Sequence, residues 1–307
     1  MAAGVREREL KPHKVQQRFR RDKDMIDIRR IGKRRGARAI AAVTAAVAAG
    51  SLAVACTAST VTHAGPNEDA PKPTVVLVHG AFADGSSWND VIDKLRKDGY
   101  PVVAAANPLR GPASDATTLK GLISHINGPV VLVGHSYGGS VISAAAAGND
   151  QVKSLVYVAA FLPAPGETAL ELTNKFPGTT LPGTLDPVPF TGPDGSTGTD
   201  LYIQQAKFHD QFAADVPADR AALAAASQRP ILQTALEEKA TVAAWTDKPS
   251  WDVVTTQDLN IPVAAQRFMA ERAHAQVTEV AASHSVAVSH PDLVAGVIER
   301  AAQSSAH

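Results

Sequence analysis

Three residues, Ser136, Asp258 and His284, have the types and surroundings to carry a reaction. The stretch Gly134-His135-Ser136-Tyr137-Gly138 fits G-x-S-x-G, follows the apolar run Val130–Val133 and precedes the small-residue run Ser140–Ala147. Strand, sharp turn, helix is the context in which that motif presents a serine as a nucleophile. The turn strains the serine backbone, and the glycines let strand and helix close up. The hydroxyl then projects past the strand end, near the positive pole of the helix. A glycine-rich turn with a structural serine is the plainer reading of five residues alone; the flanking strand and helix favour the catalytic one.

A serine hydroxyl needs a base to activate it and an acid to orient that base. Trp251, Val253 and Val254 predict a strand over 250–256, and Asp258 follows it. A further strand is predicted over 275–281, with His284 just beyond. Both residues then reach the same sheet edge as Ser136. Asp252 competes as the acid but lies inside the strand. His290 competes as the base, but it sits against Pro291-Asp292, where Ser289 or His290 would cap a final helix that runs to about Gln303.

The elements that must position these residues begin at Thr74. Val75–Val78 reads as a buried strand running into His79-Gly80-Ala81-Phe82. Ser87 is placed to cap a helix carrying Trp88, Val91, Ile92 and Leu95, which Gly99 ends. A strand over 101–106, a helix over 117–126 and a strand over 154–161 continue the alternation. Alternating strands and helices imply an α/β fold with a parallel sheet and right-handed crossovers.

The segments VHGAFADGSSW, VGHSYGG, TTQDLNIP and ASHSVAVSHP, in that order, resemble the α/β-hydrolase superfamily. They are most similar to the group of small-molecule carboxylesterases, plant methyl esterases and hydroxynitrile lyases. The resemblance runs from about residue 74 to the C-terminus. It implies a mostly parallel central sheet flanked by helices, with the chain order nucleophile, acid, base as in Ser136, Asp258, His284. It also implies an oxyanion hole made by the backbone N–H groups of Ala81 and Tyr137, with His79 shaping the loop and moving no proton. Glu167 occupies an alternative acid position of the superfamily. The base falls at the first of the two histidines.

Residues 163–249 interrupt the alternation, where the superfamily carries its cap. Pro177, Pro182, Pro187, Pro189 and Pro193 are expected to break regular structure; Asp219–Gln228 and Ile231–Ala244 read as helices. Among the aromatic residues, Phe82 on the loop and Trp245 in the cap are the candidates for touching substrate. Phe176, Phe190, Tyr202, Phe208 and Phe212, taken singly, read better as the cap's own small core, although one or two phenylalanines are expected to touch substrate as well.

The reaction implied is hydrolysis of a small-molecule carboxylic ester through an acyl-enzyme. No metal or organic cofactor is called for, since no zinc-ligand cluster and no G-x-G-x-x-G occurs. A dehalogenase or epoxide hydrolase would need a carboxylate in place of Ser136. A hydroxynitrile lyase of this group usually carries lysine after the base, where this chain has Ser285. A lactone- or C–C-cleaving member, and a ligand-binding protein that retains the triad, remain alternatives.

Residues 1–38 carry 14 Lys/Arg and 5 Asp/Glu, while the rest of the chain carries 16 and 25. A basic head on an acidic body argues for a targeting segment and against nucleic-acid binding. Arg29-Arg30 and Lys33-Arg34-Arg35 precede the uncharged run Ala39–Ala55, an n-region and h-region in the right order for export. Residues 1–73 are therefore expected to be signal and linker, with Met25 an alternative start. Cys56, the single cysteine, follows Leu52-Ala53-Val54-Ala55, which resembles a bacterial lipoprotein box apart from Ala53. Cleaved secretion and lipid anchoring at Cys56 both stand, and membrane contact is expected through that segment alone.

Overall fold

The computed structural model describes residues 71–304. Arg29-Arg30, Met25, Cys56 and the rest of the expected export segment lie outside them.

Six strands form the central sheet: β1 (Thr74–Val78), β2 (Val102–Ala105), β3 (Val130–His135), β4 (Val152–Val158), β8 (Ser250–Thr255) and β9 (Gln276–Val280). Their order is β2-β1-β3-β4-β8-β9, and every pairing is parallel. All six residues of β3 are buried, as its unbroken apolar sequence requires at the centre of a two-faced sheet.

The period of two along each strand divides the core. Val76, Val78 and Leu132 face one layer, built from α2 (Pro112–Ile123), α3 (Gly138–Ala146) and α7 (Val263–Arg272). Val75, Leu77, Val131 and Val133 face the other, built from α1 (Asn89–Lys97) and α9 (Pro291–Ser304). Burying one such aliphatic side chain contributes about 1.5–3 kcal/mol, so helices on both faces are what hold the sheet. The chain enters α1 through a 3-10 turn, Gly85–Trp88. Asp84, and not Ser87, caps that turn, accepting the Ser86 N–H at 2.8 Å. Ser87 instead donates to the Asp84 carbonyl at 2.7 Å.

Between β4 and β8 lies the cap. It holds α4 (Ala169–Asn174), β5 (Leu185–Thr191), β6 (Thr197–Ile203), α5 (Gln205–Phe212), α6 (Ala218–Ser227) and β7 (Ile231–Leu232). Its strands form a separate antiparallel sheet, β5-β6-β7. Two expectations are corrected here. Pro187 and Pro189 do not break the chain: they lie within β5, an edge strand, where a missing N–H costs no ladder bond. Ile231–Ala244 is not a helix. Ile231 pairs with Leu201, Leu232 N–H donates to the Leu109 carbonyl at 3.0 Å, and a short 3-10 turn, Gln233–Leu236, follows. These long-range bonds outweigh a helical spacing of apolar residues.

After β9 comes a short helical turn, α8 (Val286–Ser289), and then α9. Among the described residues no helix is long and apolar enough to cross a membrane.

Asp252 sits inside β8, buried, and neither carboxylate oxygen has a hydrogen-bond partner among the described residues. Burial pushes its carboxyl well above the usual carboxylate range. The folded chain therefore holds a proton that the unfolded chain releases, and stability falls as pH rises above the ordinary aspartate value. Asp252→Asn should stabilise the protein at pH 7 by on the order of 1–3 kcal/mol, with the gain shrinking toward pH 4. Denaturant midpoints across that range check it; a gain independent of pH would be the contrary result.

Candidate active site

The turn that holds Ser136 is set by close backbone contacts. Ser136 has a φ of 54°, a left-handed conformation that costs a non-glycine residue about 1–3 kcal/mol. Hydrogen bonds over-determine it: Ser136 N–H donates to the Val158 carbonyl at 3.2 Å, and the Ser136 carbonyl accepts from Gly139 at 3.0 Å and Phe161 at 3.1 Å. A Cβ on Gly134 would lie 2.6 Å from the Gly138 carbonyl oxygen, and one on Gly138 would lie 2.5 Å from that of Val78. A Cβ on Gly80 would lie 2.5 Å from the Ser136 Cβ. Only glycine fits at these crossings.

Asp258 and His284 form a buried pair. His284 Nδ1 meets Asp258 Oδ2 at 2.6 Å, with side-chain exposures of 1% and 0%. A carboxylate accepts, so Nδ1 donates and carries the proton. Oδ1 of Asp258 accepts the N–H groups of Asn260 at 2.7 Å and Ile261 at 3.0 Å. Oδ2 also accepts from Thr255 Oγ1 at 3.1 Å and Gln266 Nε2 at 3.0 Å. This is the coordination a buried carboxylate charge needs. On its other side, the His284 ring packs edge-on against Phe212, with centroids 4.9 Å apart.

The loop carrying His284 is tied to the cap. Ser283 donates from its N–H at 3.2 Å, and from its hydroxyl, to the Asp215 carboxylate. Ser285 Oγ donates to the Phe212 carbonyl at 3.0 Å. From beneath, His135 Nε2 donates to the His284 carbonyl at 2.9 Å. Burial, and then the neighbouring His284, hold His135 well below the ordinary histidine range, so it is neutral.

Ser136, His284, Ala81, Tyr137, Phe82 and Phe212 line one cavity of about 80 Å³. Leu181, Leu185, Leu236 and Ile261 add an apolar wall, and Thr173, Asn174 and Asn260 supply its few polar groups. The N–H groups of Ala81 and Tyr137 make no hydrogen bond among the described residues, whereas Phe82 N–H is committed to the Arg229 carbonyl at 3.0 Å. Tyr137 Oη donates to Asp115 at 2.9 Å; burial, and then Asp115, push the phenol far up, so it stays a donor.

The rival residues lie apart from this arrangement. Asp252 meets no histidine. Glu167 is bound by Arg272 through two bonds of 2.7 and 2.5 Å. His290 Nδ1 meets Ser289 Oγ at 2.9 Å. Trp245 is also not in the cavity wall. Its indole N–H donates to the Pro163 carbonyl at 3.1 Å and its ring packs under Arg272. A half-buried indole needs an acceptor, and Pro163 supplies one away from substrate. Phe176 packs on Phe268, 5.8 Å between centroids.

The sequence pattern of the alpha/beta hydrolase family matches residues 75–297. The chain belongs to that family. It is 27% identical, over 75% of its length and 97% of the relative's, to an alpha/beta hydrolase, nvfD, of Aspergillus novofumigatus. It is 26% identical, over 73% of its length and 85% of the relative's, to a pyrethroid hydrolase of Sphingobium wenxiniae. Among solved structures, polyneuridine aldehyde esterase superposes with a TM-score of 0.66 at 19% identity, covering 75% of this chain and 98% of that one. The alpha/beta hydrolase fold thus accounts for the sheet order and for the sheet edge on which the cavity opens.

Gly138→Ala should destabilise the protein by about 2–3 kcal/mol, because the new methyl meets backbone that has nowhere to move. Gly121→Ala, in α2 with open space around it, should stabilise by about 1 kcal/mol. Paired thermal melts decide: if both glycines tolerate alanine equally, close approach does not constrain the turn.

Proposed function

We propose that this protein hydrolyses carboxylic esters of small, uncharged molecules, with Ser136 as nucleophile, His284 as general base and acid, and Asp258 as the group that orients His284. The observation that carries the reading is the buried His284–Asp258 pair, whose His284 shares one apolar cavity with a strained serine. His284 takes the Ser136 proton through Nε2 as Oγ attacks the ester carbonyl. Asp258 keeps Nδ1 protonated and stabilises the imidazolium that forms. The Ala81 and Tyr137 N–H groups receive the developing oxyanion. Loss of one such donor typically costs about 3–4 kcal/mol. The imidazolium then protonates the leaving alcohol, and water activated by the same ring releases the acid.

The wall of the cavity supports an uncharged substrate, since no Asp, Glu, Lys or Arg is among the described residues that line it. Its size supports a short chain on one side of the ester. Phe82 and Phe212 also line an outer groove of about 250 Å³, which would take the larger part. The similarity to a protein named as a pyrethroid hydrolase supports a hydrolytic reaction. We also place the protein outside the cytoplasm, on the strength of the basic and apolar order of residues 29–55. The mass of the mature protein, expressed with its full leader, should lack the segment up to Ala55 or Ala64, or carry a lipid on Cys56; an intact leader would count against export.

Hydrolysis of p-nitrophenyl acetate, butyrate and octanoate tests the reaction. Wild type should turn over acetate and butyrate at least about ten-fold faster than octanoate in kcat/KM, a modest discrimination for a closed apolar pocket. Ser136→Ala should lose at least about a thousand-fold, as expected for a triad nucleophile. Equal activity in wild type and Ser136→Ala would overturn the assignment.

A further inference from the structure

Two spaces open on the loop between β1 and α1, and two rings divide them. The cavity at Ser136 and His284 holds about 80 Å³. The outer groove, lined by that loop, α5 and α6, holds about 250 Å³. Among the described residues, only Phe82 and Phe212 line both. Both are buried, at 4% and 3% exposure, and their rings meet edge-on with centroids 6.2 Å apart. A small-molecule site typically encloses roughly 300–1,000 Å³. Neither space reaches that size alone; joined, they do.

The two rings are held differently. Phe212 ends α5 and is wedged among three further rings, Phe208 at 5.0 Å, His284 at 4.9 Å and His135 at 6.1 Å between centroids. Its carbonyl also accepts from Ser285 Oγ at 3.0 Å. Among the described residues, Phe82 has Phe212 as its single ring neighbour. Its φ of 61° is a left-handed backbone that disfavours a bulky side chain. The Phe82 N–H donates to the Arg229 carbonyl at 3.0 Å, so the cap holds the residue in that conformation. Backbone strain kept at a boundary between two spaces points to a task for the ring it places. Moving Phe212 would disturb the His284 ring; moving Phe82 breaks one edge-on contact.

We infer that Phe82 sets the size of the substrate. With its ring against Phe212, it limits an ester to what the inner cavity holds. With the ring displaced, cavity and groove join, and the groove takes the bulky apolar end of a longer ester. This rests on the proposed ester hydrolysis by Ser136 and names the residue that decides its chain length. The groove suits an uncharged, apolar group. Phe208, Val216, Ala221 and Val288 give it an apolar lining. Its charged groups are engaged elsewhere: Arg220 pairs with Asp90 at 2.8 Å, and Asp84 accepts from the Ser86 N–H at 2.8 Å and Oγ at 2.6 Å.

A set of paired variants tests the partition with p-nitrophenyl acetate and octanoate. Phe82→Ala should raise the octanoate-to-acetate ratio of kcat/KM by at least about ten-fold. A wider inner cavity alone could also raise that ratio, so the groove is blocked separately. Ala224→Trp, on α6, places an indole in the groove and should cancel the gain of Phe82→Ala. It should not cancel the gain of Leu236→Ala, which widens the inner cavity at another wall. An unchanged ratio in Phe82→Ala, or a gain that survives Ala224→Trp, would overturn the partition. Phe82→Leu, a smaller loss of bulk, should give a smaller rise that Ala224→Trp also cancels. No rise in the leucine variant overturns the inference even where the alanine variant fails to fold. Ser136→Ala in the Phe82→Ala background keeps the two readings apart. If that double variant stays active, ester hydrolysis by Ser136 fails. If it is dead while Phe82→Ala alone leaves the ratio unmoved, only the partition fails.

Discussion

Ser136 keeps its left-handed backbone because the chain closes in on it from every side. β3 delivers it, α3 leaves from it, β1 crosses within contact of Gly138, and the loop after β4 caps its carbonyl through Phe161. No side chain fits at these crossings, so the distances between β1, β3 and α3 are set by backbone atoms. Every other part of the site is placed relative to that crossing. The Gly80–Ala81 peptide lies against the serine because β1 is the immediate neighbour of β3. Asp258 and His284 arrive from β8 and β9, two and three strands away on the other side, and need longer loops to reach inward.

Those longer loops raise the problem of a buried charge. Asp258 is completely enclosed, and an unpaired carboxylate there would cost several kcal/mol. The turn after β8 answers this with two backbone N–H groups, while Thr255 and Gln266 supply two more donors. Asp252, only six residues earlier, lacks every one of these donors and is held protonated instead. Two aspartates on one stretch of chain thus differ in how their carboxyl groups are satisfied, through the donors that local geometry offers them.

Much of the fold was legible in the sequence. The apolar runs at 75–78 and 130–133 marked the central strands, and the alternation with helices marked the parallel sheet. Ser136, Asp258 and His284 could be placed at one edge because each follows a strand. What was not legible depended on long-range pairing. Leu232, Ala235 and Leu236 have helical spacing, but Ile231 and Leu232 are claimed by β6 and by Leu109. Trp245 looked like a pocket residue until its N–H found Pro163. Gln266 in a helix reads as a solvent-facing residue, yet it is fully buried beside Asp258. One further local signal is legible in the sequence: Thr168-x-x-Glu171 is a capping box, and it starts α4.

The attachment of the His284 loop to the cap has a consequence for how such molecules diverge. Ser283 and Ser285 hang the histidine from Asp215 and from the end of α5, and Phe212, on that same helix, packs on its ring. The cap is thus not an independent accessory that selection or engineering could exchange while leaving the chemistry alone. A replacement that shifts α5 moves the His284 ring, so a transplanted cap would need to bring its own acceptors for those two serines. Elsewhere in the cap, Leu181, Leu185 and Leu236 line the same cavity and make no side-chain hydrogen bond to that loop, so they can change shape without tugging on the imidazole.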